Sequence, residues 1–356
     1  MRREAAMQHS PRLEFLDGLR GIALILMVLN HTSRDWVGVS MGWGRYYLVY
    51  GTLLLPAAIF LFLVGFCLPL SWRQRAVPKL GDRLRKYGRR GAMIIGAGLL
   101  LNVIIAPDMP FWNGGVLQTI GLTIIVLGMI LPVLRHGPGR TIVLALAVLL
   151  YLLFAVCFDR LVAWSAAHPV QGHIWFLGFP PFPWVAVGLA GAVFGWQWLA
   201  ARERGAEQRF FAAAAAVAVV ALAAYLAWQY WLSPSVNFGF KRDFILNGHW
   251  TPGAATALLV VGGVGALLAA TYWLMERQGW HQAWLVVLGR TALMLYFVHQ
   301  VIELTLVKNV LGWQFTSWWW YWLANVVFLV ALVYMGKLWL AIKRGYGARR
   351  FRTAMT

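Results

Sequence analysis

The sequence predicts an all-α polytopic membrane protein with about ten transmembrane helices, a single domain over residues 1–356, and both termini in the cytoplasm. Three observations lead there. Hydrophobic residues make up 61% of the chain and charged residues only 12%, which excludes disorder and is atypical of a soluble domain. Apolar segments recur, each close to the roughly 20 residues that a helix needs to cross a hydrocarbon layer of about 30 Å. The cations that give the net charge of +19 fall mostly in alternate intersegment stretches. A nucleic-acid-binding protein would carry such charge on a solvated, charge-rich surface, and this chain has none. A β-barrel is excluded too, because the apolar runs are long and do not alternate.

The first segment, 17–34, follows Arg2, Arg3 and Arg12 and shows no small-residue cleavage pattern, so it reads as a retained helix. The second, 48–70, is separated from the third, 90–106, by a basic stretch containing Pro78 and Gly81. Pro107 and Pro110 close the third, and 116–134 runs up to Gly137-Pro138-Gly139. Segment 140–157 precedes the longest loop, 158–182, which ends on Pro180-Pro181. Segments 183–200 and 210–231 flank a charged turn, and Ser233-Pro234 and Pro252-Gly253 bracket the loop before 253–274. The last two segments are 284–307 and 318–340. No loop is long enough to fold alone, so any chemistry uses the bundle and its short loops.

Charge tests this count. With the N-terminus inside, only Arg34, Arg45, Arg160, Lys241, Arg242 and Lys308 of the 31 cations fall outside, and Arg20 and Arg290 lie within segments. Cys67 and Cys157 sit near opposite membrane faces, which makes a disulfide between them improbable.

Ionisable residues inside the segments are few: Asp17, Arg20, His31, Arg290, His299 and Glu303. Such groups are costly in a bilayer and mark a pathway or a buried pair. Arg20 and His31 are eleven residues apart, about three helical turns, so they share a face with Asp17, roughly 16 Å apart along the axis. Asp35, four residues after His31, is in position to hydrogen-bond its imidazole and hold one tautomer. Arg20 reads either as a functional cation or as an anchor paired with Asp17. His299 and Glu303, four apart, read either as a functional pair or as a structural hydrogen bond. The basic stretch 73–90, with Arg85, Lys86 and Arg89, reads either as a topological anchor on anionic lipid or as a docking surface for a phosphorylated ligand. The aromatic run 318–322 reads as an interfacial belt.

The run Leu16-Asp17-Gly18-Leu19-Arg20-Gly21-Ile22-Ala23, continued through Met27 to His31, resembles the opening helix of the transmembrane acyltransferase superfamily with its Arg-x10-His signature. The runs Pro56 to Phe66, Gly115 to Gly121, Phe182-Pro183-Trp184 and Gly289-Arg290 to His299 resemble the branch related to heparan-alpha-glucosaminide N-acetyltransferase. The acyltransferase-3 branch often carries an Arg-x-x-Arg pair, for which Lys86-Tyr87-Gly88-Arg89 is the nearest match. In part of the heparan branch the key histidine lies after the first helix, where residues 32–47 hold none.

The resemblance implies an acyltransferase that moves an acyl group, usually acetyl, from cytosolic acyl-CoA to an extracytoplasmic carbohydrate hydroxyl or amine. It implies His31 as the catalytic residue with Asp35 beside it. Arg20, Arg85, Lys86, Arg89 and Arg290 would bind the coenzyme, with Asp17, Gln118, His299 and Glu303 in support. By their place near the outer ends of neighbouring helices, Gln118, Asn102 and Thr119 read either as lining the acceptor entrance or as stabilising the oxyanion. His31 would act as general base or accept the acyl group itself. The expected partners are membrane lipid and a glycan or glycolipid acceptor in the plasma (inner) membrane, with no nucleic acid and no metal. The competing readings are a proton-coupled secondary transporter relaying through His299 and Glu303, and a scaffold without chemistry.

Overall fold

The structure is a computed structural model that describes residues 13–42, 55–72, 79–176, 179–228 and 253–353. Among the described residues there are nine helices long and apolar enough to cross a membrane, and a shorter apolar helix over Leu55–Leu70. The described chain contains no strand, only an isolated bridge between Val37 and Phe315. In chain order the helices are α1 Glu14–Asp35, α2 Leu55–Phe66, α3 Leu68–Trp72, α4 Leu80–Ile105, α5 Val116–Leu134, α6 Gly137–Ala167 and α7 Pro169–Trp175. They continue with α8 Pro181–Glu203, α9 Glu207–Ala227, α10 Ala254–Arg277, α11 Ala283–Arg290, α12 Ala292–Leu311 and α13 Trp318–Thr353. Helices satisfy their own backbone groups, the condition for crossing hydrocarbon.

Several boundaries differ from the sequence expectation. Residues 48–54 of the second segment lie outside the described residues. The third helix starts ten residues early, at Leu80, so Arg83, Arg85, Lys86, Arg89 and Arg90 ride on α4 rather than in a loop. Long cationic side chains snorkel from a helix end without breaking it. The fifth helix reaches Ala167 because Gly137-Pro138-Gly139 starts it, with proline in the first turn, and nothing stops it before His168 and Pro169. The expected loop 158–182 is therefore largely α6 and α7. The ninth segment divides at Thr291, whose backbone leaves the helical region and whose hydroxyl bonds the Val287 carbonyl at 2.7 Å.

Two close crossings frame the site. On α8, Gly188, Gly191 and Gly195 lie against the α2 backbone, where a Cβ at Gly191 would overlap the Phe62 carbonyl. Small residues at such spacing let membrane helices approach closely. The second crossing joins α1 to α11. Gly21 faces the Leu285 carbonyl and Gly289 faces the Asp17 carbonyl, so a side chain at either would collide with backbone. Below it, Phe15 meets Trp198, Phe211 and Tyr272 edge-on at 5.9, 5.7 and 5.7 Å, pinning the start of α1 to α8, α9 and α10.

The outward faces are apolar. Ile142, Leu146, Leu149, Leu153 and Val156 form an exposed stripe on α6, and Val326, Val327 and Val330 one on α13, as lipid contact requires. The aromatic run corrects its expectation in one place. Trp319 and Trp320 are exposed as a belt demands, whereas Tyr321 is fully buried.

Candidate functional site

The α1 crossing with α11 sets the first charged pair. Arg20 Nη1 donates to Asp17 Oδ1 at 2.7 Å, and Nη2 donates to Cys67 Sγ at 3.0 Å. The anchor pairing with Asp17 thus forms. Arg20 nonetheless keeps 28% of its side chain exposed, which leaves donor capacity for another group.

That exposure faces a cavity of about 480 Å³ between α1, α2, α4, α5 and the α11–α12 break. Arg20, Lys86, Arg90 and Arg290 are its cations, while Leu63, Ile94, Leu117, Ile120, Ile124 and Leu127 make apolar walls and Tyr296 closes the lining. A polar rim with apolar depth suits a ligand that is charged at one end and thin at the other. Of the five cations expected on sequence grounds, Arg20, Lys86 and Arg290 line this cavity. Arg85 and Arg89 are not among its lining residues, and Arg90 takes their place. The reason is register: Leu84–Gly88 is a π-helical turn, wider than an α-turn, so Lys86 and Arg90, four apart, share a face from which Arg89 is turned away. Lys86 Nζ is steadied 4.4 Å over the Trp72 ring, whose Nε1 donates to the Tyr87 hydroxyl.

Beyond Tyr296 lies a histidine cluster. The Tyr296 ring stands edge-on to His299 at 5.7 Å, and His299 stacks on His31 at 5.3 Å with an interplanar angle of 10°. His299 Nδ1 is 2.9 Å from the Leu295 carbonyl oxygen, an acceptor only, so Nδ1 carries the hydrogen. In the neutral ring Nε2 is then the acceptor. His31 Nδ1, 3.2 Å from that Nε2, must donate to it. This leaves His31 Nε2 with a bare lone pair, a tautomer fixed by the hydrogen-bond chain. His299 is fully buried, but 16% of the His31 side chain is exposed, so His31 is the reachable member. Glu303 Oε2 is 3.7 Å from His31 Nδ1, and the three side chains could together hold a metal ion.

Asp35 does not orient His31. Its carboxylate accepts from Lys308 Nζ at 2.6 Å and Arg34 Nε at 3.2 Å. A lysine brought in from α12 outcompetes a neutral imidazole four residues away. Gln118, Asn102 and Thr119 are each hydrogen-bonded to backbone carbonyls. Asn102 Nδ2 donates to Phe111 O at 2.9 Å and Asn113 O at 2.8 Å, and Gln118 Nε2 to Asn113 O at 3.3 Å. Thr119 Oγ1 donates to Phe179 O at 3.5 Å. Behind His31, Tyr321 OH donates to Thr32 Oγ1, which donates to Asn325 Oδ1 at 2.8 Å, locking α1 to α13. Cys67, Tyr296, Tyr321 and Asn325 escaped sequence reasoning as site residues, and Arg90 was covered only as the last cation of the basic stretch 73–90, where its spacing from Lys86 was a readable signal.

A sequence model of the family described as heparan-alpha-glucosaminide N-acetyltransferase, catalytic, matches residues 12–230, more than half of the chain. The chain belongs to this family. It is an acyltransferase, built on an all-α membrane-embedded bundle. The matched stretch holds Arg20, His31, Lys86 and Arg90, while Arg290, His299 and Glu303 follow it. No curated protein matches the chain.

Proposed function

We propose that this N-acetyltransferase-like enzyme moves an acetyl group from cytosolic acetyl-CoA to an amine or hydroxyl of a carbohydrate held on the far side of the plasma membrane. The observation that carries the reading is a cavity lined both by four cations and by Tyr296, whose ring contacts His299, the partner of His31. Arg20, Lys86, Arg90 and Arg290 would meet the coenzyme's phosphates, because guanidinium forks suit phosphate oxygens. The apolar walls would guide the thin pantetheine arm toward mid-membrane. A glycan or glycolipid amine would arrive from outside and meet the partly exposed His31.

His31 then acts as general base. Its Nε2 takes the proton of the acceptor N–H or O–H as that atom attacks the thioester carbonyl, and the proton passes to the departing thiolate as the carbon–sulfur bond breaks. The same lone pair would serve an acyl-histidine step. His299 holds the tautomer that keeps Nε2 free. No observation favours the transporter reading.

Two measurements on detergent-purified protein test the proposal. Acetyl-CoA should bind the wild type, and Arg20→Ala should weaken it about tenfold, since charge-assisted hydrogen bonds contribute about 1.5–3 kcal/mol. His31→Ala should still bind acetyl-CoA but transfer nothing. Wild-type protein that ignores acetyl-CoA, or a His31→Ala protein with full transfer, would sink the assignment.

A further inference from the structure

We propose that His31, His299 and Glu303 form a binding site for a divalent metal of the zinc class, and that the bound metal holds the transferase inactive. One ligand atom from each residue lies within 4.8 Å of the other two. His31 Nδ1 and His299 Nε2 are 3.2 Å apart, and His31 Nδ1 and Glu303 Oε2 are 3.7 Å apart. Two atoms that each bind a tetrahedral zinc at about 2.0–2.1 Å are themselves about 3.3 Å apart. The ring nitrogens and the carboxylate therefore need only small rotations to share one ion. Two imidazoles and a carboxylate, with a fourth position open, are a zinc donor set, whereas magnesium and calcium take oxygen ligands.

The carboxylate supplies a second, independent observation. Glu303 is fully buried, and among the described residues neither of its side-chain oxygens has a hydrogen-bond partner. Buried carboxylates are ordinarily paired or bonded, so such a group calls for an explanation, and a cation is one. The nearest ring nitrogen, at 3.7 Å, directs its hydrogen at His299 instead. A metal between the three groups meets the need of all of them. The Leu295 carbonyl already holds the His299 Nδ1 hydrogen, the backbone support that metal-ligating histidines generally have, and it leaves Nε2 for the ion. The cluster sits where α12 passes into its π-helical stretch, Val301–Leu311, and such irregular turns often mark functional sites.

The inhibitory sense rests on the proposed function; the site itself does not. A His31 ring that binds metal through Nδ1 carries its remaining hydrogen on Nε2, the atom that the transfer step needs bare. Metal binding and base catalysis are then mutually exclusive at one residue.

The test titrates Zn²⁺ into the full-length, chelator-treated protein in detergent. Bound metal is counted by elemental analysis and its ligands are read by X-ray absorption. One zinc per chain with two imidazole ligands is expected. Glu303→Gln, which keeps the side chain's shape, and His299→Ala should each weaken binding at least tenfold, with thermal unfolding checking that both still fold. His281→Ala, at an exposed pair with Glu14, should leave zinc binding unchanged. Transfer by the wild type should fall at least tenfold as the site fills. Absence of stoichiometric zinc, or equal binding by Glu303→Gln and His299→Ala, overturns the site. Unchanged or faster transfer with zinc overturns the inhibitory sense, and an active His31→Ala protein overturns the base assignment and the inhibitory sense with it, while the zinc count of the wild type tests the site by itself.

Discussion

At the scale of single residues, the hydrogen bond between His31 and His299 decides what the site can do, because it fixes which nitrogen is free. His299→Ala removes the acceptor for His31 Nδ1–H, and the His31 ring loses its tautomer and its stacking partner. In chelated protein its kcat should fall about 10²-fold, the lower part of the range for general-base catalysis, with KM for acetyl-CoA little changed. His299→Gln, whose Oε1 also accepts, should recover part of the loss; equal damage from both variants would leave His299 a packing residue. Arg20, His31 and His299 were legible in the sequence because an ionisable group in an apolar run is conspicuous on energetic grounds. Asp35 was misread for the opposite reason: its spacing from His31 is local, but its partner Lys308 comes from another helix. Cys67 and Tyr296 gave no signal, since a thiol or phenol in a membrane helix looks like ordinary core.

At the scale of elements, the site depends on how closely α1 approaches α11. Asp17 and Arg20 reach the cavity because Gly289 lets the α11 backbone touch the Asp17 carbonyl. Gly289→Val forces the helices apart, and overpacking of this kind costs about 1–3 kcal/mol. A lower unfolding temperature in detergent and weaker acetyl-CoA binding should appear together. Gly96→Val is the control, since a Cβ there meets nothing within 4 Å; equal losses in the two variants would remove the crossing from the account. Sequence periodicity located each apolar segment, but not its ends. The expected loops at 80–89 and 158–167 are helical because their polar residues are long or sparse and no proline interrupts them. The break at Thr291 was invisible, because neither glycine nor proline stands at that position and the run of apolar residues continues across it.

At the scale of the whole molecule, the proposed direction of acyl transfer depends on how many times the chain crosses the membrane. Among the described residues nine helices are long enough by themselves, and Leu55–Leu70 is the tenth candidate. At 1.5 Å per residue it spans about 24 Å, short of the roughly 30 Å hydrocarbon layer. The charge pattern predicts that it crosses all the same. The cations Arg83, Arg85, Lys86, Arg89 and Arg90 at the start of α4 mark that end as cytoplasmic, and Arg135 and Arg140 mark the next cytoplasmic turn. With α1 starting inside, as Arg2, Arg3 and Arg12 predict, the chain returns between Asp35 and Leu80, and among the described residues α2 is the helix placed to do it. Buried against the glycine face of α8 and contacting little lipid, α2 has no need to match the bilayer thickness alone. Ten crossings put both termini in the cytoplasm; nine would put the end of α13 outside. Single cysteines at exposed positions distinguish the two. Asp108→Cys, in the turn after α4, should react with a membrane-impermeant maleimide in intact cells. Lys343→Cys, near the end of α13, should react only after the cells are permeabilised. Labelling of Lys343→Cys in intact cells would reverse the final crossing, and with it the case for α2 as a full span.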